Sequence, residues 1–227
     1  MVLTIHHLQV GQSERLPWLC EELQIPYKLT LHQRDPIFSP QSIKDLNPLE
    51  SAPIIQDGDM TLSESGACIE YIVHKHGNGK LILPHSHPNY ADYLYWFHFA
   101  NGTLQPQIVS MLQISYVDPN GATATRQKER FSKILALMDA RLRENAWLAG
   151  EEFTAADVMI VFSLTTMRTF YPYELTDYEG ILAYLKRVSE REGYVKARAK
   201  ADPELDLMID GKAPPSMLER LRSGGRS

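Results

Sequence analysis

The feature that most constrains the fold of this sequence is a change in its hydrophobic pattern near residue 80. Before that point, short β-branched and apolar runs alternate with segments in which apolar residues recur every three or four positions, which predicts alternating strands and helices. After it, every strong segment has the helical period alone. One uniform sheet or one helical bundle cannot satisfy both patterns, so we expect two domains of different class.

The first part of the chain predicts elements in the order β-α-β-α-β-β-α. A strand covers residues 2–8, and a helix follows with Ser13 as its N-cap. Asp57-Gly58 is a hairpin signal between the last two strands. This order is that of a thioredoxin-like layer, so we expect an α/β thioredoxin-like N-terminal domain over residues 1–80.

The second part predicts an all-α C-terminal domain. Residues 81–90 contain two prolines and no period, which indicates a linker. Helical periods then continue through residues 91–212, and the almost wholly apolar segment from Ala155 to Phe170 predicts a central buried helix. Residues 213–227 are expected to form a polar tail.

Composition and charge argue against several classes of function. The 227 residues carry a formal net charge of -5 with dispersed basic residues, unlike a nucleic-acid-binding surface. Cys20 and Cys68 lie in apolar helical patterns without zinc-ligand spacing, so we expect buried free thiols and no metal. No apolar run approaches the roughly 20 residues of a membrane span, and the first residues lack the pattern of a secretory signal. We therefore expect a cytoplasmic protein.

Thr154 and Asp157 form the strongest local signal. A threonine followed three residues later by an acid, just before an apolar run, is a variant of the capping box. It marks the beginning of a helix, and we assign it no catalytic role.

A second signal lies at Ala52-Pro53-Ile54 and at Glu64-Ser65. A cis peptide at Pro53 would turn the backbone N–H and C=O of Ile54 outward, where they could pair with a bound peptide. Glu64 and Ser65 lie at a helix N-terminus, whose amides suit a carboxylate, while Glu64 could bind an ammonium group. An ordinary helix cap remains the alternative for this pair.

The turn after the first strand is the third signal. A thiolate placed there would be stabilised by helix N-terminal amides and by one side-chain donor. Gln12 and Ser13 can both donate. The alternative is that Ser13 caps the helix and Gln12 is solvated.

These blocks together resemble the glutathione transferase superfamily. The resemblance extends from residue 3 to about residue 200, and the four blocks that carry it, in order, are IHHLQVGQSERLPWLCEELQIPYKL, NPLESAPIIQDGDMTLSESGACIEYI, YWFHFANGTLQP and FTAADVMI. The sequence is most similar to fungal and bacterial transferases whose first strand ends in HHL or HWL. The resemblance implies a homodimer with the glutathione site near its two-fold axis, and glutathione as substrate or cofactor. It also implies Ser51, Pro53, Ile54, Glu64 and Ser65 as the glutathione-binding residues, with Ile54 pairing through its backbone and Glu64 and Ser65 holding the γ-glutamyl end.

The sequence departs from those relatives at two places. They carry a serine where this chain has Gly11, so the donor to the thiolate becomes Gln12 or Ser13, with Gln12 preferred. They often carry a lysine near the glycyl carboxylate, where this chain has Glu50-Ser51. Both changes leave the fold intact and weigh against general conjugating activity.

The resemblance implies an enzyme that activates the glutathione thiolate for attack on a hydrophobic electrophile. A glutathione-dependent isomerase, dehydratase or reductase of a secondary metabolite is one alternative, and a non-catalytic glutathione-binding regulatory module is another. The acceptor pocket is expected among residues of the turn and of the long helical segment after the linker, although an aromatic stripe there also suits a core. The candidates are Val10, Phe97, Asn101, Met111 and Tyr116.

Overall fold

The computed structural model describes residues 2–218, which form two compact units. The first unit comprises the described residues up to Ile82 together with Val188–Leu207, and the second comprises Leu83–Arg187 and the described residues from Met208 onward. Residues 188–207, which the sequence analysis places in the helical domain, belong to the first unit by their contacts. Of the expected polar tail, residues 219–227 lie outside the described part of the chain.

The first unit contains a four-stranded mixed sheet and its helices. Its elements are β1 (Leu3–Leu8), a 3₁₀ turn (Gln12–Glu14), α1 (Arg15–Leu23), β2 (Tyr27–His32), α2 (Gln41–Lys44), β3 (Ile54–Asp57), β4 (Met60–Ser63) and α3 (Ser65–Lys75). The strand order is β2-β1-β3-β4. β1 and β2 are parallel and need α1 as their crossover, whereas β1–β3 and β3–β4 are antiparallel. The predicted thioredoxin-like α/β fold is confirmed.

Local sequence explains the β3–β4 hairpin but not the start of α1. β3 and β4 are joined by a two-residue turn in which Gly58 has a φ of 66°, a conformation that glycine adopts without strain. The Ser13 N-cap prediction is wrong, because α1 begins at Arg15 and the Ser13 hydroxyl bonds back to Leu8 at the end of β1.

The second unit is helical, as predicted. Its elements are α4 (Tyr90–Phe99), a π-helical turn (Ala100–Leu104), α5 (Gln105–Val117), α6 (Ala122–Glu144), α7 (Ala155–Leu164), a 3₁₀ turn (Thr166–Thr169) and most of α8 (Glu179–Ser189). All ten residues of α7 are buried, which explains its continuous apolar sequence. Between residues 2 and 218 we find no helix long and apolar enough to cross a membrane.

The capping box at the start of α7 is present. The Thr154 N–H and hydroxyl both donate to Asp157 Oδ2, at 2.8 and 3.2 Å. Asp157 Oδ1 also accepts the Leu148 N–H and the Tyr184 hydroxyl. Because Asp157 is fully buried, these donors replace the water that its carboxyl group loses on folding.

The last helix, α9 (Glu192–Ala201), packs against α1 in the first unit. Arg191 donates to both carboxylate oxygens of Glu22, at 2.8 and 2.6 Å, and the Tyr194 ring meets Trp18 edge-on at 5.0 Å. Bidentate charge-assisted bonds of this kind are among the stronger polar contacts in proteins. They explain why this helix belongs to the first unit although it follows the five α-helices α4 to α8.

Candidate functional site

The turn between β1 and α1, residues 9–13, is held in an unusual backbone conformation; we call it the donor turn. Val10 has a φ of 54°, which is rare for a β-branched residue. Its N–H donates to Asp202 Oδ1 at 2.8 Å, and its C=O accepts from Arg34 Nη2 at 2.9 Å. A Cβ on Gly11 would lie 2.7 Å from the Leu8 carbonyl oxygen, so this turn has no room for the serine of related sequences.

Gln12 is the candidate donor whose side chain faces the loop before β3. It is partly buried, and its Nε2 donates to the Ala52 C=O at 3.1 Å. Its Oε1 accepts from Arg15 Nη1 at 3.2 Å, which orients the amide so that the NH₂ group points toward Ala52. The donor hydrogens of Gln12 are thus directed at the cis peptide segment.

Ser13, the other candidate donor, is fully buried. Its Oγ accepts the Leu8 N–H at 3.0 Å and is hydrogen-bonded to His7 Nδ1 at 2.8 Å. The hydroxyl therefore lies within the unit, on the side of β1, and these geometries favour Gln12 over Ser13 as the donor.

The loop before β3 contains the predicted cis peptide, between Ala52 and Pro53. Ile54, expected to offer its backbone to a ligand, is fully buried and lies opposite His6 on β1 and Ser63 on β4. Its main chain is therefore inside the sheet, and the expectation that it faces outward is corrected. Ala52 lies outside the sheet, and its C=O accepts the Gln12 amide.

Ser51 precedes this segment and is exposed. Asn47 Nδ2 donates to its C=O at 2.8 Å and to its hydroxyl at 3.2 Å. These bonds fix the loop conformation, and the Ser51 hydroxyl retains a proton to donate.

Glu64 and Ser65 stand at the beginning of α3, as predicted. Glu64 has a φ of 75°, and its exposed carboxylate has no hydrogen bond or ion pair with any residue between 2 and 218. The alternative of an ordinary side-chain cap is thus not realised. A left-handed backbone at a non-glycine residue is often found at ligand sites, and the first amides of α3 lack intrahelical acceptors.

Arg15 connects the two halves of the site, a role that the sequence analysis did not assign to it. It is fully buried, and its Nη1 donates both to Gln12 Oε1 at 3.2 Å and to Ser65 Oγ at 3.0 Å. Burial lowers the pKa of Arg15 to about 9, so the guanidinium is still charged at neutral pH. A basic residue in the apolar first turn of α1 was the available signal.

The residues predicted to line the acceptor pocket differ in burial. Phe97 and Met111 are each 3% exposed, and Phe97 packs against the Tyr93 ring, so both belong to the core of the second unit. Asn101 is partly buried in the π-helical turn, and Val10 is fixed through its main chain in the first unit.

Tyr116 is about half exposed and lines a cavity of about 460 Å³ in the second unit. The sequence analysis missed the rest of its wall, although the Tyr-Pro-Tyr run after the apolar helix was a usable signal. The lining residues are Leu112, Ser115, Tyr116, Phe170, Tyr171, Pro172, Pro214, Pro215 and Ser216.

The two cysteines are free and buried. Burial raises the pKa of Cys68 to about 12 and raises the pKa of Cys20 as well, so neither is ionised at neutral pH. In the described part of the chain, no three His, Cys, Asp or Glu side chains are grouped as metal ligands.

A thioredoxin-like unit that contains a cis-proline, joined in one chain to a helical unit, defines the class of two-domain thioredoxin-fold proteins. The family model of the glutathione S-transferase N-terminal domain matches residues 12–75, and that of the C-terminal domain matches residues 103–192. This chain belongs to the glutathione transferase superfamily.

Two curated glutathione S-transferases are similar to this chain over most of its length. Glutathione S-transferase 3 of Schizosaccharomyces pombe is 29% identical over 224 residues, which cover 92% of each chain. Glutathione S-transferase 1 of Manduca sexta is 29% identical over 216 residues, covering 92% of this chain and 97% of its own.

Solved structures share the fold. A glutathione S-transferase from Actinobacillus pleuropneumoniae has a TM-score of 0.81 and 26% identity, covering 92% of this chain and 99% of its own. A glutathione transferase from Burkholderia graminis, solved with two glutathione molecules bound per subunit, has a TM-score of 0.70 and 19% identity over 88% of this chain and 89% of its own.

Proposed function

We propose that this chain is a glutathione transferase that binds glutathione on its first unit and lowers the pKa of the glutathione thiol. The observation that carries the proposal is Glu64, a carboxylate without an internal partner at the start of α3. Glutathione has an ammonium group beside a carboxylate at its γ-glutamyl end. Glu64 would bind the ammonium, and the N-terminal amides of α3 with the Ser65 hydroxyl would bind the carboxylate.

The remainder of the peptide would extend toward the cis-proline loop. Ala52 would offer its main chain to the cysteinyl part, which displaces the Gln12 amide from its present acceptor, and Ser51 would donate its hydroxyl. The displaced Gln12 NH₂ group then donates to the sulfur. A hydrogen bond to a charged group contributes roughly 1.5–3 kcal/mol, which corresponds to about one to two units of thiol pKa.

The chemistry expected is nucleophilic transfer. Once the thiol proton has gone to solvent, the thiolate attacks an electrophilic carbon, a C–S bond forms, and the leaving group departs with its electron pair. The cavity beside Tyr116, which has aromatic and proline side chains in its wall, is the candidate acceptor site. Because Gly11 stands where related sequences have a serine donor, we infer that the enzyme uses glutathione in a specialised reaction with few electrophiles.

Calorimetric titration of glutathione into Glu64→Ala tests the binding site. Because Glu64 is exposed, we expect the loss of one charge-assisted contact, about 10- to 100-fold in the dissociation constant. Glu70→Ala is the matched control, since Glu70 is exposed on the same helix without a role in the site. Equal affinities for the two variants would refute the assignment.

The thiolate donor is tested by the ultraviolet absorbance of bound glutathione across pH. Gln12→Ala should raise the thiol pKa by about one unit, because the amide donor is lost. Ser13→Ala should raise the thiol pKa by clearly less than Gln12→Ala does, since its hydroxyl is directed at His7 and Leu8 and not at the ligand. Turnover of a generic aryl halide then separates a general transferase from an enzyme with a specialised acceptor, and binding without turnover on any electrophile would favour the regulatory module.

A further inference from the structure

Asp202, in the segment after α9, contacts the donor turn at Val10 and the end of β1 at His7. Its side chain is 2% exposed. Oδ1 accepts the Val10 N–H at 2.8 Å, and Oδ2 is hydrogen-bonded to His7 Nε2 at 2.9 Å. Asp202 lies outside both family models, which end at residues 75 and 192.

The first contact stabilises a backbone conformation that valine does not favour. A β-branched residue at positive φ is strained, and such residues persist only where surrounding groups determine their conformation. Charged side chains hold both main-chain groups of Val10, Asp202 at its N–H and Arg34 at its C=O. Without Asp202, the partly buried Val10 N–H would lose its acceptor and the strain would have no compensation.

The second contact extends to the other end of the turn. His7, fully buried, is bonded to Asp202 through Nε2 and to Ser13 Oγ through Nδ1 at 2.8 Å. Only Gly11 and Gln12 lie between Val10 and Ser13. Asp202 therefore contacts Val10 directly and Ser13 through His7, the two residues that flank Gly11 and Gln12.

Ser13, His7 and Asp202 have the residue types of a hydrolytic triad, but their placement excludes that chemistry. The Ser13 hydroxyl is fully buried, and its oxygen already accepts the Leu8 N–H. A nucleophile must reach a substrate carbonyl, and this oxygen has no access to one. The three side chains form a brace inside the unit.

We propose that Asp202 is a positioning residue: by holding Val10 directly and Ser13 through His7, it fixes Gln12 where its amide meets the cis-proline loop. This inference rests on the proposed function, in which Gln12 donates to the glutathione thiolate. It assigns a role in the glutathione site to a segment 190 residues along the chain from it.

The brace is tested first without glutathione, by amide hydrogen exchange of the turn in Asp202→Ala. We expect the Val10 amide to exchange at least about tenfold faster than in the parent protein, because its acceptor is gone. Arg191→Ala is the control: it removes the ion pair to Glu22, which is also an α9–α1 contact but includes no residue of the turn. Should Asp202→Ala fail to fold, Asp202→Ser, in which water can fill the space beside His7, replaces it.

The second readout is the pKa of the glutathione thiol in the same variants. Asp202→Ala should raise it by about one unit, as Gln12→Ala does, whereas Arg191→Ala should leave it unchanged. Asp202→Asn keeps an acceptor for Val10 and a partner for His7, so it should restore the thiol pKa to within about 0.3 units of the parent value, well under the one unit that a lost donor costs.

The outcomes distinguish the two proposals. Unchanged Val10 exchange in Asp202→Ala, or an equal effect in Arg191→Ala, overturns the positioning role. A parent protein that does not bind glutathione refutes the proposed function, while the exchange rates still decide whether Asp202 positions the turn.

Discussion

A Cβ atom on Gly11 would lie 2.7 Å from the Leu8 carbonyl oxygen and 3.1 Å from an Arg34 guanidinium nitrogen. The carbonyl belongs to the end of β1 and cannot move without disturbing the sheet. Gly11 itself has an extended backbone, so close approach, and not a special φ, is what excludes a side chain. The missing serine is therefore a consequence of how this turn is built.

Gly11→Ser should consequently destabilise the protein without improving catalysis. We expect a loss of about 1–3 kcal/mol in the free energy of unfolding, the usual range for overpacking in a tight site, and no gain in aryl-halide turnover. Denaturant unfolding and the turnover assay measure the two effects. Gly102→Ser is the matched control, because a Cβ there has no atom within 4 Å. A Gly11→Ser variant that is stable and more active would show that the turn can open.

The site residues differ in how far the sequence could predict them. Glu64 and Ser65 were predictable because helix-start chemistry is local. Ile54 was not, because whether a backbone group is free depends on the neighbouring strands, and here His6 and Ser63 lie on either side. Arg15 and Asp202 escaped prediction because their partners are 50 and 192 to 195 residues away in sequence.

At the scale of elements, the start of α7 is predicted by a local sequence motif, but part of its stabilisation comes from residues outside that motif. The Thr154-x-x-Asp157 pattern predicts the helix start, and the structure confirms it. The sequence could not show that Leu148 and Tyr184 also bind this carboxylate. Likewise, the helical period of α9 was visible, but its place against α1 depends on ion pairs such as Arg191–Glu22 that no local pattern specifies.

Asp157→Ala should impair folding and leave glutathione binding intact. The change removes the cap and leaves the Leu148 N–H and Tyr184 hydroxyl without their buried acceptor. We expect a loss of about 2–4 kcal/mol, from the cap together with unsatisfied buried donors. Thermal unfolding measures the stability, and calorimetry of the folded variant measures the affinity. A variant that melts like the parent would mean that the box contributes little.

Stability should also depend on the ionisation of Asp157. Burial is the main cause that raises its pKa from 3.8 to about 6. Because the folded state holds the proton more tightly than the unfolded state, this residue stabilises the fold as pH falls from about 6 to about 4. Relative to Asp157→Asn, which does not titrate, the parent protein should gain up to about 3 kcal/mol between pH 7 and pH 4. A constant difference between the two proteins in denaturant unfolding would contradict this.

At the scale of the whole molecule, the division of the chain follows its hydrophobic pattern only in part. The change of period near residue 80 correctly separates a mixed α/β unit from a helical one, because strand and helix periods are local properties. That residues 188–207 pack with the first unit depends on contacts between residues far apart in the sequence. As a result, the segment that carries Asp202 contributes to the first unit although it is encoded after the second.

Homodimer formation is the remaining expectation, and Leu49 gives it a structural test. Leu49 is 75% exposed and lies two residues before Ser51, at the edge of the proposed glutathione site. If that site is near a two-fold axis, a second copy covers Leu49 through an isologous contact. Light scattering should then give about twice the single-chain mass of 25.9 kDa.

Leu49→Glu should shift the mass toward a single chain, whereas Val117→Glu, which also places a glutamate at an exposed apolar residue (81% exposed, at the end of α5), should not. A single-chain mass for the parent protein at micromolar concentration would exclude the dimer, and a dimeric Leu49→Glu would place the interface elsewhere.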